Sequence, residues 1–445
     1  MITPLGFTVT HRYTGTTISE KELQHIIELA TWQKMPSFSV RGRSAWHILR
    51  EDVTLKSNPE YKLRAAKLKG IGVWNPGTTA KNRDSLMVPE SDTPRPPTTQ
   101  PLETFSTYPH FGLTADGEYS IVFGKVAPVG GILHARAVQE FENAQYLIEK
   151  GLSCIVPLAV ILYDEEYTFN GQPMGATISL SPCADPYRVS EIKYGAITRL
   201  GEDRKKDQYC QRILDSLNIQ GELSSEVTRL EAINIIARQT GEMIRSFSMA
   251  GLYRYSAEWG NFEYNFDHGN IVFTDLDSTC FINTLTPDMR TLQVIRDFGT
   301  LMYRTISKFA TPPALHHYTL RNLLDYNPLA EVLRGYFPQG DEKEIKKVSD
   351  QLWNAFIPYY FTLKRYQSEI LNDWSQERRR SYKIPHDFFY VLAITSAFNL
   401  FSSSDFMQQY PSPLSKEILL KKAKRYLGDQ YEYLLYLLGS QSVKI

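Results

Sequence analysis

Asn261 and Asp275 are the residues whose types and spacing most directly suggest chemistry. They stand near the ends of Trp259-Gly-Asn-Phe-Glu-Tyr-Asn-Phe-Asp-His-Gly-Asn-Ile-Val-Phe-Thr-Asp-Leu-Asp277. In this segment Phe262 and Tyr264 alternate with polar residues, Asp267-His-Gly-Asn270 supplies turn chemistry, and Ile271-Val-Phe273 leads the chain back. The pattern predicts a short hairpin that turns the Asn261 amide and the Asp275 carboxylate toward one pocket, with Asn270 a structural turn residue. Hard oxygen donors of this kind suit magnesium, which takes only one or two protein ligands when phosphates complete its shell. A magnesium nucleotide is the expected ligand.

Such a hairpin must be delivered and covered by other elements. Residues 226 to 249 place Leu230, Ile233, Ile236, Met243, Ile244 and Phe247 at helical spacing, so a long amphipathic helix is expected to lead toward Asn261. Upstream, Cys154 to Tyr163 and Met174 to Leu180 read as apolar strands joined by a turn at Asn170-Gly171. Ala135 to Lys150 reads as a helix ended by Gly151. Leu63 to Trp74 and Gly117 to Gly124 read as strands, separated by a Pro-, Thr- and Ser-rich stretch that reads as a loop. A first helix over 19 to 32 opens on Ser19 as its cap, and beyond Met289 nearly everything is helical and aromatic-rich. This order predicts an α+β chain with a small β-rich N-lobe and a large helical C-lobe. The expected divisions are a helical extension over 1–60, an N-lobe over 61–182 with a Pro-rich insertion at 75–116, and a helical C-lobe over 183–445.

Composition narrows the function. The 445 residues are 42% hydrophobic, enough for one large core or two, and the formal net charge of zero offers no global field for nucleic acid or an acidic membrane. Cys154, Cys183, Cys210 and Cys280 lie far apart without a CxxC pair, which disfavours a zinc site and a disulfide framework. The first residues lack a charged start followed by an apolar run, and no stretch is apolar for long enough to span a bilayer. A cytoplasmic setting is expected, without nucleic-acid or membrane partners.

The hairpin and its flanks resemble the catalytic region of the protein-kinase-like superfamily. By that resemblance Asn261 corresponds to the catalytic-loop Asn, Asp275 to the metal-binding Asp of the DFG motif, and Asp277 to the second acid of Asp-Phe-Asp variants in small-molecule kinases. Leu68-Lys-Gly-Ile-Gly72 and Arg136-Ala-Val-Gln-Glu-Phe141 resemble segments of the selenoprotein-O pseudokinase family. The match implies that Lys69, with Gly70 and Gly72 beside it, meets the nucleotide phosphates and that Glu140 orients Lys69. Lys125, in Phe123-Gly-Lys-Val-Ala127, is the rival lysine.

The chain also departs from the family. The position five residues before Asn261, where ordinary kinases keep a catalytic Asp, is Ser256, and Ser is no base without a partner. Glu258 is the nearest carboxylate and the candidate base. Arg296-Asp-Phe-Gly299 spells DFG but lies in a helical pattern, so Asp297 is cast as a structural residue that holds the catalytic loop. His316-His317, the arginines Arg41, Arg43 and Arg378 to Arg380, and the aromatic C-terminal helices are read as structural or surface features. Selenoprotein-O relatives transfer AMP and lack the ordinary Asp, so the expectation leans to adenylyl transfer onto a protein or small-molecule acceptor. Phosphoryl transfer and an inactive pseudokinase scaffold are the alternatives.

Overall fold

Long-range antiparallel pairing organises the first part of the chain. The computed structural model describes residues 4–38, 42–75, 91–98, 109–123, 128, 130–193, 204–253, 257–307, 309, 317–366 and 385–439. In chain order come β1 (Phe7–Arg12), α1 (Glu20–Ala30), β2 (Gly42–Leu55), β3 (Asn58–Asn75), β4 (Ser91–Arg95), β5 (Pro109–Leu113), β6 (Tyr119–Phe123), β7 (Ile132–Leu133), α2 (His134–Glu149), β8 (Val156–Tyr163), β9 (Thr168–Phe169) and β10 (Gln172–Ser181). The main sheet runs β1-β8-β10-β3-β2, with β4 added to β3 and the short β7 and β9 added to β10.

Local signals explain several of these elements. The Ser19 side chain accepts from the Glu22 N–H and caps α1, whose Leu23, Ile26, Ile27 and Ala30 pack into the sheet core. Asn170 and Gly171 both take positive φ, 49° and 72°, and pair Phe169 with Gln172 across a two-residue loop. In β3 the side-chain period of two puts Lys67 and Lys69 on one face and Leu68 on the other, where it joins α1 in the core. Thr177 and Ser179 lie opposite Lys69 and Lys67 in the ladder, so this face of the sheet is polar although buried.

Three expectations are corrected. Residues 1–60 are not a helical extension, because β1 pairs with β8 and β2 pairs with β3 inside the main sheet. The stretch read as one loop after Trp74 contains β4, held to β3 at Val73 and Arg95. The strand read near Gly117 does not join the N-terminal sheet: β5 and β6 form a separate hairpin whose Phe111 and Tyr119 belong to the helical core, against Tyr390 and Tyr426. Arg296 donates to the Phe111 carbonyl, and Glu118 pairs with Lys422 and Arg425, so partners far along the chain decide where the hairpin sits.

The remaining elements are mostly helical: α3 (Arg204–Ser216), α4 (Glu226–Met249), β11 (Leu252–Tyr253), β12 (Phe262–Asn265), β13 (Asn270–Phe273), β14 (Cys280–Phe281), α5 (Pro287–Ser307), α6 (Leu320–Tyr326), α7 (Pro328–Tyr336), α8 (Glu342–Arg365), α9 (His386–Ser396), α10 (Phe398–Ser402), α11 (Asp405–Gln409), α12 (Lys416–Leu427) and α13 (Gln430–Gly439). Ser225 caps α4 by accepting from the Thr228 N–H. A second, larger core gathers the inward faces of α4, α5, α7, α8 and α9 with the β12–β13 hairpin. The chain is thus mixed α+β, with a sheet-centred core and a helix-centred core. All four cysteines are free, and no described helix is long and apolar enough to cross a membrane.

Candidate metal and nucleotide site

The β12–β13 hairpin forms as its sequence pattern requires, with Phe262 opposite Phe273 and Asn265 opposite Asn270. Phe273 packs on Phe247 of α4 and on Phe262, which fixes the hairpin on the helical core. The Thr274 N–H donates to the Asn261 carbonyl at 2.9 Å, so the two ends of the hairpin are tied and Asn261 lies next to the residue before Asp275. Asn270 opens β13, consistent with a structural role.

Asp275 follows with φ of +64°, the left-handed region that a non-glycine residue seldom adopts. Strained backbone of this kind collects at functional sites, where surrounding contacts hold it in place. Here those contacts are ion pairs. The Lys69 ammonium lies 2.5 Å from Asp275 Oδ1, 2.6 Å from Glu140 Oε2 and 3.6 Å from Asp277 Oδ2. Oxygen atoms of Glu140, Asp275 and Asp277 all fall within 4.8 Å of one another. Lys69 and Glu140 are 4% and 2% exposed, whereas Asp275 is 34% exposed, so the cluster is buried at its lysine end and open at its aspartate end.

Helix α2 holds this arrangement through one stripe of side chains. Arg136, Gln139, Glu140 and Asn143 recur at i, i+3, i+4 and i+7, the spacing that places residues on one helix face. Arg136 donates to the Asp277 carbonyl at 2.9 Å, and Gln139 donates to the Thr279 carbonyl at 3.0 Å. Asn143 donates to the carbonyls of Leu276 and Thr279 at 2.9 and 3.0 Å. The loop carrying both aspartates is therefore fastened by amide and guanidinium donors. Sequence reasoning singled out Glu140 and missed Gln139 and Asn143, because their helical phase with Glu140 marks a shared face but not the carbonyls they meet.

Lys67 forms a second link from β3 to the hairpin. Its ammonium donates to Thr274 Oγ1 at 2.8 Å and lies 3.9 Å from the fully buried Glu263, which Arg188 approaches at 3.0 Å. Burial, with the Arg188 charge adding to it, pushes the Lys67 ammonium down to about 8. At the hairpin turn Arg64 donates to both oxygens of Asp267 at 2.7 Å.

Gly70 and Gly72 have packing reasons of their own. Their φ values are +87° and +134°, and a Cβ would fall 2.4 Å from Ile132 Cγ2 at Gly70 and 2.1 Å from the Arg95 carbonyl oxygen at Gly72. They let β7 and β4 approach β3 closely. Gly72→Ala is expected to cost about 1–3 kcal/mol or more, because it combines a disfavoured φ with a backbone clash. Urea unfolding of the variant checks this, and an unchanged midpoint would refute the close approach of β4.

The other candidates are distributed as follows. The Glu258 carbonyl accepts from the Asn261 N–H, and its carboxylate lies 3.7 Å from Arg304 Nε, an ion pair at the entrance to the Asn261 turn. Asp297 lies within α5, buried, and accepts from Arg296 at 3.0 Å. Lys125 and Ser256 lie outside the described residues, as do Arg41, His316 and Arg378 to Arg380, while Arg43 is described in its backbone only. Cavities of about 360 Å³ and 650 Å³ are lined by other residues and do not include the Lys69 cluster.

No protein-family model matches this chain, and no curated protein matches it at a significant level.

Proposed function

We propose that the chain is a magnesium- and ATP-dependent transferase of two-lobed, protein-kinase-like fold that moves AMP onto a protein or small-molecule acceptor. The observation that carries this reading is the position of one ammonium among three carboxylates. Lys69 offsets one of the three negative charges of Glu140, Asp275 and Asp277, so the open, aspartate end favours a divalent cation with its phosphates. The donor set fits magnesium, since Asp275, Asp277 and the Asn261 amide are all hard oxygen ligands. Bound there, magnesium would neutralise charge on the phosphates.

The chain's own groups have separable tasks in this reading. Glu140 holds Lys69 in place, and Lys69 meets phosphate oxygens as a point charge. Arg136, Gln139 and Asn143 fix the loop that carries the two aspartates. The two cores meeting at this cluster support the two-lobed description, and four free cysteines suit a cytoplasmic setting. In adenylyl transfer an acceptor oxygen attacks the α-phosphorus and pyrophosphate departs. Ser256, in place of the usual Asp, favours that outcome over an ordinary kinase reaction.

Phosphoryl transfer is the second reading, favoured by the position of Glu258. Its carboxylate flanks the Asn261 turn, and a loose transition state asks little of a base. ATP labelled separately at the α and γ positions decides between them. The expected result is α-label on the acceptor with pyrophosphate released; γ-label with ADP released would establish the kinase reading. Glu258→Gln should bind ATP normally and lose about a hundredfold in rate if Glu258 is the base in either reaction. Absence of both products would leave a pseudokinase scaffold as the account.

A further inference from the structure

Strand β3 grips two consecutive residues after β13. Lys67 donates to Thr274 Oγ1 at 2.8 Å, and Lys69, two residues on and on the same face, lies 2.5 Å from Asp275 Oδ1. Consecutive side chains of an extended chain point to opposite faces, so Thr274 and Asp275 would not both meet β3 if β13 simply continued. The φ of +64° at Asp275 turns the chain and brings both side chains to one strand.

The backbone on either side of that turn is fastened. Phe273 donates its N–H to the Ser153 carbonyl at 3.2 Å, its carbonyl accepts from the Ile155 N–H at 2.9 Å, and the Thr274 N–H donates to the Asn261 carbonyl at 2.9 Å. Beyond Asp275, the Leu276 carbonyl accepts from Asn143. Left-handed backbone at a non-glycine residue persists only where its surroundings over-determine it. Lys67 is placed to contribute. It is buried, with the fully buried Glu263 at 3.9 Å and Arg188 behind Glu263 at 3.0 Å, so its ammonium is held in position and its bond to the Thr274 hydroxyl is charge-assisted.

We infer that Lys67 is a positioning residue of the metal and nucleotide site: through the Thr274 hydroxyl it holds Asp275 in its left-handed conformation. The inference rests on the magnesium and ATP reading of the cluster. Lys69 cannot perform this task alone, because it grips the Asp275 carboxylate, the group that a cation would take. Lys67 acts on the residue before it. Its restraint therefore persists when the carboxylate changes partner, and Asn261, tied to Thr274 through its carbonyl, is kept in register with Asp275 by the same contact.

Three variants of the full chain test this. Thr274→Val removes the hydroxyl and keeps the β-branched shape, Thr274→Ser keeps the hydroxyl, and Lys67→Met removes the ammonium. Without metal, protection of the residue-274 amide against hydrogen exchange should fall by about tenfold in Thr274→Val and Lys67→Met and stay near the parent value in Thr274→Ser. In calorimetric titrations the first two should bind magnesium ATP about tenfold more weakly and bind ATP in EDTA as the parent does, since Lys69 is intact. Thr274→Ser should restore most of the magnesium-dependent affinity. Combining Lys67→Met with Thr274→Val should cost no more than either alone, because both remove one contact. Should Lys67→Met fail to fold, with Glu263 buried beside it, the two Thr274 variants decide. Equal losses with and without magnesium, additive losses in the double variant, or parent-like protection and affinity in Thr274→Val would overturn the inference. A parent chain that binds no magnesium ATP overturns the nucleotide reading and this inference with it, whereas a parent that binds beside unaltered variants overturns the inference alone.

Discussion

Asp275→Asn is expected to abolish magnesium-dependent ATP binding in a chain that still folds. Asn is the substitution of choice because it keeps the side-chain shape and tolerates left-handed backbone, so the φ of +64° at this position adds no new strain. What it removes is one negative charge at the open end of the cluster, where Asp275, paired with Lys69, is 34% exposed and within reach of a cation from solvent. Titration with magnesium ATP should show affinity reduced by about a hundredfold or more, while the thermal midpoint moves little. Wild-type affinity in this variant would remove Asp275 from the site, and with it the reading that rests on the hairpin. Asn261→Ala should act in the same direction and more weakly, as a neutral ligand contributes less than a carboxylate.

The hairpin was legible because its determinants are local. Phe262, Tyr264, Ile271 and Phe273 alternate over a few residues, and the turn residues between them leave one register in which the aromatic faces reach the core. The same holds for α4, whose cap at Ser225 and apolar stripe lie within one segment, and for the Asn170-Gly171 turn. Lys69 and Glu140 came from a motif resemblance, and the ion pair between them joins elements that no periodicity relates.

Other features had no local signature. The β5–β6 hairpin alternates like any strand pair, and residues far along the chain, among them Arg296, Tyr390, Lys422, Arg425 and Tyr426, draw it to the helical core. In β1 and β2 edge positions gave a weak pattern, because Val9 and Ile48 are exposed and Thr, His and Arg are interspersed with the apolar residues. Lys67 drew no reading from the sequence, yet it is buried beside Thr274 and Glu263, and a buried lysine is visible in sequence only when its partners are known. Gln139 and Asn143 lie on the Glu140 stripe, but amides that donate to backbone carbonyls form no motif.

Lys69→Met should separate the structural from the chemical work of the cluster when it is paired with Glu140→Gln. Alone, Lys69→Met leaves Glu140, 2% exposed, without its counter-charge and beside two further carboxylates. Stranding a buried charge in this way costs about 3–5 kcal/mol, so a clear drop in the urea midpoint is expected together with loss of transfer. Adding Glu140→Gln removes that charge, and replacing both members of a buried pair is often close to neutral, so the double variant should regain most of the lost stability. Transfer should stay down by about a hundredfold or more in both variants, because no ammonium then meets the phosphates. Lys125→Met should retain most of the transfer. If the double variant recovers activity with stability, Lys69 is a structural lysine, and the phosphate contact belongs to Lys125 or to another group; if the single variant is as stable as the parent, the pair is not buried in solution.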